Sequence, residues 1–342
     1  MASITVEMSH SGGTKDFTYN FTCDGGVVDF KKHNTADTWY DIISVNQTTK
    51  TVTISANTND SDAERTALID GYVDNNLCTG KDAEIKQKGS SDWLTFTFTT
   101  TGKVVFNSAS SAMPRYSLNG GAWTVLPSAG LTVSSGAKVR LRGPSDHVGL
   151  AIDDHVGIGE FADTRGKFTL GGKIATLFYD DYFDRADTDF DSLSYACGNL
   201  FYGVTGLTSI ADLKLPLVVS EFCYFQMFVG CESLATVPSD LLPAIYLAEG
   251  CYSTMFEQCT SLTKAPDLPA KTLKKECYYA MFDGCESLNE IKCLAENISA
   301  QYCTSGWLES VAASGDFYCK SSTAWEVDSP DGIPEDWDRH AV

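Results

Sequence analysis

A twelve-residue phrase written three times constrains this chain more than any other feature. Cys223-Tyr-Phe-Gln-Met-Phe-Val-Gly-Cys231-Glu-Ser-Leu234 returns as Cys251-Tyr-Ser-Thr-Met-Phe-Glu-Gln-Cys259-Thr-Ser-Leu262 and again as Cys277-Tyr-Tyr-Ala-Met-Phe-Asp-Gly-Cys285-Glu-Ser-Leu288. The leading cysteines are 28 and 26 residues apart, and Cys303 follows after another 26. A worn copy, Leu200-Phe-Tyr-Gly-Val-Thr-Gly-Leu207, precedes them. A fixed period of this size indicates a solenoid, whose units bury their apolar faces only against neighbours.

Within one unit, Cys277, Met281 and Cys285 lie four apart with Phe282 beside Met281. That spacing predicts an apolar stripe on one face of a short helix. Gly230 and Gly284 stand where such a helix would end in a left-handed cap, and Gln258 breaks the pattern in the middle copy. Pro266 and Pro269 forbid further helix. Leu268, Ala270 and Leu273 supply the apolar positions that close the turn, as Leu242, Ala244 and Leu247 do one unit earlier. Stacked units would build one core of Cys, Met, Phe and Leu.

Cys-Tyr-Tyr-x-Met-Phe-x-Gly-Cys-x-Ser-Leu, followed by Leu-Pro-Ala-x-x-Leu, resembles the signatures of leucine-rich repeats of the BspA-like kind, over about a third of the chain. Members of that family are surface proteins of gut and oral bacteria, or virion proteins of phages infecting such hosts. The resemblance implies adhesion or display, with no chemistry on the repeats themselves.

The chain ahead of the repeats reads as all β. Ile4-Thr-Val6, Phe17-Thr-Tyr19, Val52-Thr-Ile54 and Ala83-Glu-Ile85 alternate as half-buried strands do, and Asn57 to Asp62 form a turn cluster. Trp39 is the expected core anchor. Trp39-Tyr, Val52-Thr-Ile54-x-x-Asn57, Arg65-x-Ala67-x-Ile69 and Ile85-x-Gln87 resemble the BACON domain, a Bacteroidetes-associated immunoglobulin-like module whose name implies carbohydrate binding. Residues 90–176 follow as a second β unit, with Leu94-Thr-Phe-Thr-Phe98 and Val104-Val-Phe106 as its first strands. Tyr116-Ser-Leu118 and Trp123-Thr-Val125 flank Asn119-Gly-Gly-Ala122, a turn able to supply the positive φ values a hairpin needs. The Tyr-Ser-Leu-Asn-Gly-Gly-x-Trp pattern resembles the small sandwich that commonly precedes these repeats.

The expected architecture is therefore mainly β with α/β repeats. A BACON-like sandwich spans 1–89, a second sandwich 90–176, a capped leucine-rich-repeat solenoid 177–325, and an extended, turn-rich tail 326–342. An acidic, aromatic segment from Tyr179 is the expected entry cap, and Trp307, Val311 and Phe317 the seal at the other end.

A formal net charge of −20 and a pI near 4.5 argue against nucleic acid or an anionic membrane as partner. No apolar run approaches the length that crosses a bilayer, so no membrane insertion is expected. Met1-Ala-Ser-Ile-Thr-Val-Glu lacks a basic region followed by an apolar core, which gives the expectation of a chain carrying no secretory signal. Ten of the twelve cysteines fall between Cys197 and Cys319. They admit a disulfide reading and a reading as small buried apolar groups, and their repeat-locked positions favour the second.

Sites for chemistry are sparse. Asp187, Asp189 and Asp191 have the one-three-five spacing of a calcium loop, but Ser192 and Gly198 stand where its glycine and glutamate belong. His147 and Asp153-Asp154-His155 lack a matching nucleophile signature. No catalytic residue, metal site or cofactor is expected. The candidate binding residues are Trp123, beside the hairpin, and Tyr224, Tyr252, Tyr278 and Tyr279, recurring on one repeat face where they would stack on sugars or pack between units.

The function expected is non-enzymatic. It is a virion-surface protein of a Bacteroidetes phage (head fibre, capsid decoration or tail appendage), partnered by capsid or tail proteins and touching a host-surface glycan or protein. A bacterial cell-surface adhesin of the same plan is the alternative. Solenoid sides and β-edges would offer symmetric contacts for a homo-oligomer.

Overall fold

Alternating apolar and β-branched residues turn most of the regular structure into strands, so the chain is mainly β. Among the described residues the one helical element is a 3₁₀ turn at Ile174–Leu177. The computed structural model describes residues 4–8, 13–18, 28–56, 65–73, 76–77, 83–87, 93–109, 112–143, 158–178 and 193–342. Contacts divide the chain into two compact units, Met1–Asp92 and Trp93–Val342.

The first unit contains β1 (Ile4–Met8), β2 (Gly13–Thr18), β3 (Val28–Lys32), β4 (Tyr40–Asn46), β5 (Thr51–Ala56), β6 (Arg65–Val73), β7 (Asn76–Leu77) and β8 (Ala83–Gln87). One sheet has the order β1-β8-β6-β3, with β7 on β6, and a second has the order β2-β5-β4. In β5 the side chains of Val52, Ile54 and Ala56 are buried, while Thr51, Thr53 and Ser55 stay half-exposed, the period-two pattern of a strand with one covered face. The expectation for Trp39 shifts by one position. Tyr40 is 1% exposed and its hydroxyl donates to the Leu68 carbonyl at 3.0 Å, whereas Trp39 lies half-buried against the same core. Tyr40 opens β4 and is buried in the core, whereas Trp39 precedes the strand and is covered only in part. The turn cluster at 57–62 lies outside the described residues.

In the second unit the strands are β9 (Leu94–Phe98), β10 (Gly102–Val104), β11 (Asn107–Ser108), β12 (Arg115–Leu118), β13 (Thr124–Val125), β14 (Leu131–Val133), β15 (Lys138–Arg142), β16 (Gly159–Glu160), β17 (Phe168–Lys173), β18 (Leu207–Lys214), β19 (Glu290–Cys293), β20 (Gly315–Cys319) and β21 (Trp337–Ala341). A six-stranded sheet runs β13-β12-β15-β9-β17-β18. The hairpin between β12 and β13 forms as expected: Asn119 and Gly120 take φ values of 51° and 78°, and the Gly121 N–H closes the turn on the Leu118 carbonyl at 2.9 Å. β17 pairs with β18 in parallel. That direction continues through single contacts at Ser209–Thr236 and Lys264–Glu290 into the parallel set β19-β20-β21.

The repeated phrases overturn the helix expectation. Each forms a ribbon of tight turns in which amide groups alternate in purpose. In the third copy Cys277, Tyr279, Met281, Asp283 and Cys285 donate three residues back, to Lys274, Glu276, Tyr278, Ala280 and Phe282. Between them Tyr278, Ala280, Phe282 and Gly284 donate to Cys303, Ser305, Trp307 and Glu309 of the next unit. The same alternation joins the ribbons that begin near Tyr195, Phe222 and Gly250 to their successors. An α-helix would send every amide four residues back. Here every fourth residue has a left-handed φ instead: Phe222, Gln226 and Gly230, then Gly250, Thr254 and Gln258, then Glu276, Ala280 and Gly284. These residues occupy the third place of the turn, where a type II turn takes its positive φ. Gln258 therefore does not break the pattern, since its φ of 59° matches the 68° and 72° of Gly230 and Gly284.

Each such layer, here called a rung, presents buried Cys, Tyr, Met and Phe to its neighbours. Phe201, Phe228, Phe256 and Phe282 stack with ring centroids 5.5, 5.5 and 5.7 Å apart and planes within 12°. Lysine–carboxylate pairs fasten successive rungs at their rims: Lys214–Asp240, Lys264–Glu290, Lys271–Glu296, Lys275–Glu249 and Lys292–Asp267.

The boundaries expected at 176 and 325 are not breaks in packing. One core runs from Leu94 to Trp337. Phe201 of the first rung lies 5.3 Å from Phe161 and 6.1 Å from Phe96. At the other end the Gly306 N–H reaches the Pro330 carbonyl at 2.8 Å, and the Trp307 indole N–H donates to the Gly332 carbonyl at 2.7 Å. Residues read as an extended tail thus close the last rung, because its outward amides need acceptors and its apolar face needs a cover. The acidic entry segment, by contrast, falls almost wholly outside the described residues.

Candidate functional site

The ribbon decides what each candidate aromatic can do. In a rung whose inward positions recur every four residues, Tyr224, Tyr252 and Tyr278 follow the leading cysteines and point inward, with 0%, 1% and 1% exposure. Their rings form a column with centroid spacings of 5.6 and 6.2 Å, continued by Trp307 at 6.4 Å and Trp325 at a further 5.2 Å. Burial pushes all three phenols well above their ordinary pKa, so they stay neutral. These three carry the rung-to-rung packing and offer no ring face to a ligand.

Tyr279 is different. One position further along the ribbon its ring turns outward and is 43% exposed. Trp123 sits half-buried on the six-stranded sheet, with the Arg142 guanidinium 4.8 Å above its ring and Trp93 edge-on at 4.9 Å. Both surround it with groups that fix its orientation.

Further exposed apolar side chains on the repeats lie ahead of the signatures. Leu217 and Val218 sit six and five residues ahead of Cys223, and Ile245 and Tyr246 hold the same places ahead of Cys251, with Tyr246 85% exposed. In the next two units those places hold Lys271-Thr272 and Asn297-Ile298. Alignment of the units at their leading cysteines would have revealed the exception, because apolar pairs stand in two copies where polar or mixed pairs stand in the others. The twelve-residue signature hides it, since the rim residues precede the signature.

Two acidic positions are also perturbed. Glu257 and Asp283 occupy equivalent places on adjacent rungs, one residue before Gln258 and Gly284, and Glu309 follows on the next. Partial burial raises the pKa of Glu257, reinforced by Asp283, and partial burial raises that of Asp283, reinforced by Glu309. Among the described residues no group of three or more His, Cys, Asp or Glu side chains is placed to hold a metal ion. His147, Asp153 to His155, and Asp187, Asp189 and Asp191 lie outside the described residues. Among the described residues no helix is long and apolar enough to cross a membrane. Comparison with protein-family models and with curated proteins gives no match for this chain.

Proposed function

We propose that this chain is a non-enzymatic display protein of a virion surface, as the likeness of its repeats to the BspA-like kind suggests. In this reading immunoglobulin-like sandwiches precede a leucine-rich-repeat solenoid, one part docks on capsid or tail proteins, and the repeats hold a rim outward toward a host-surface glycan or protein. The observation that carries the reading is the single core from Leu94 to Trp337, which makes the repeats and the preceding sheet one mechanical body. The buried tyrosine, phenylalanine and cysteine columns serve packing, and the outward residues available for contact include Leu217, Val218, Ile245, Tyr246 and Tyr279. Weak contacts at such a rim add up when many copies are displayed.

Electron cryomicroscopy of assembled particles tests the docking, with continuous density for this chain on head or tail as the expected result. Particles that lack it, with the chain recovered on intact bacterial cells, would transfer the assignment to a cell-surface adhesin. Binding by the purified chain to an array of host-type glycans should weaken on Tyr246→Ala and persist on Tyr252→Phe.

A further inference from the structure

The cysteines carry an inference independent of what the repeats display. All ten described cysteines are free and buried. Cys197, Cys223, Cys251, Cys277 and Cys303 hold one place in five successive rungs, and Cys231, Cys259 and Cys285 hold another. Cys293 faces Cys319 in the register of β19 and β20. The Cys197 N–H meets the Cys223 carbonyl at 2.7 Å, and the Tyr224 N–H meets the Cys251 carbonyl at 3.1 Å, so column members sit on adjacent hydrogen-bonded layers. Such layers lie about 4.8 Å apart, inside the Cα separation of roughly 4.4–6.8 Å over which cysteines can be bridged. Proximity alone would therefore permit many wrong links.

In the stacked state the thiols are occupied. Cys231, Cys259 and Cys285 donate S–H to the carbonyls of Phe201, Phe228 and Phe256, one rung back, at 3.2, 3.2 and 3.0 Å. Burial pushes the Cys231 and Cys285 thiols up to about 12, so the thiolate that reacts with disulfides is scarce. In the unfolded chain the same thiols return to ordinary pKa and full access. Eight column thiols alone then allow on the order of a hundred pairings, and the folded structure contains none among its described cysteines.

We infer that the cysteine columns make folding of this repeat stack a redox-gated event: the rungs must stack while their thiols are reduced, and once stacked they no longer respond to oxidant. The step that closes the gate needs a low-molecular-weight disulfide of the glutathione class. An unfolded-chain thiol gives up its proton and attacks one sulfur of that disulfide. This forms a mixed disulfide and releases one glutathione thiolate, which takes up a proton. A second chain thiol, likewise deprotonated, displaces the remaining glutathione as thiol and leaves an intrachain S–S bond. Two chain thiols are oxidised and one glutathione disulfide is reduced to two thiols. A chain that folds in a reducing cytosol keeps its structure when later carried into oxidising surroundings.

The test uses the full chain alongside a Cys23→Ser/Cys78→Ser variant, which removes the two cysteines outside the described residues. In native buffer an aromatic disulfide reagent should leave all ten remaining thiols of the variant unreacted, and in guanidinium it should titrate all ten. After dilution from denaturant, buffer with reduced glutathione should restore the cooperative unfolding transition, and buffer with oxidised glutathione should lose it. Chain first refolded in reduced glutathione and then transferred into the oxidised buffer supplies the comparison, and that native sample should keep its transition. Rapid labelling of the native variant would overturn the inference. So would recovery of the transition in oxidised buffer, whether its thiols stayed free or became bridged.

Discussion

Gln258 shows how single residues carry the repeat. Its backbone sits at φ 59°, a region that costs a residue with a Cβ about 1–2 kcal/mol, while the copies on either side place glycine there. Gln258→Gly should therefore stabilise the repeat region by about 1 kcal/mol, read as a higher urea midpoint with unchanged slope; a lower midpoint would show that Gln258 holds its place through contacts. Residues like this explain both what the sequence discloses and what it conceals. Glycine at 230 and 284 announces a left-handed turn. Phe222, Gln226, Thr254, Glu276 and Ala280 adopt the same φ with nothing in their side chains to signal it. Tyr252 and Tyr279 are equally ambiguous as letters, and only the ribbon decides that one is sealed and the other outward.

At the scale of the element, a four-residue apolar spacing fits a helix face and fits a ribbon of turns equally well. The period, the buried set and the strand alternation of β5 and β9 were therefore legible, and the helix was not the right solution. What distinguishes them is where alternate amides go, and that depends on a neighbouring rung which no local pattern describes. The acidic places on adjacent rungs add a pH response. Because the pKa values of Glu257 and Asp283 are raised in the folded state, the folded chain binds more protons than the unfolded chain in that window. Stability should thus rise as pH falls from neutral through the raised values, and level off once the unfolded carboxylates also protonate, near 4. Thermal melts of the native chain and of Asp283→Asn over this range check it, and the variant should show a flatter dependence. An equal slope in both would assign the response to other groups.

For the whole molecule, the shared core means that the rungs, the six-stranded sheet and the closing phrase at 328–333 should unfold together. Excision of residues 251–276 joins one rung to the next-but-one at matching positions. The shortened chain should still unfold in one transition for this unit, with a smaller denaturant slope because less surface is exposed. Two separated transitions would show that the rungs fold as independent pieces. The sequence pointed to mutual support among the repeats through their fixed period. It did not reveal that the preceding strands share the same core, because the parallel β17–β18 contact joins segments whose local patterns look unrelated.

Alternating amide use within a ribbon also imposes a parity on the chain. Adding one residue between the two cysteines of a signature would exchange inward-bonding and outward-bonding groups for the remainder of that layer, and all three copies keep these cysteines eight apart. The unit of 28 residues instead places its two additional residues between Leu234 and Ala244, in the proline-containing bend that the ribbon bonds do not govern. Length therefore varies at that bend and not within a ribbon, whose two cysteines keep their spacing in every copy.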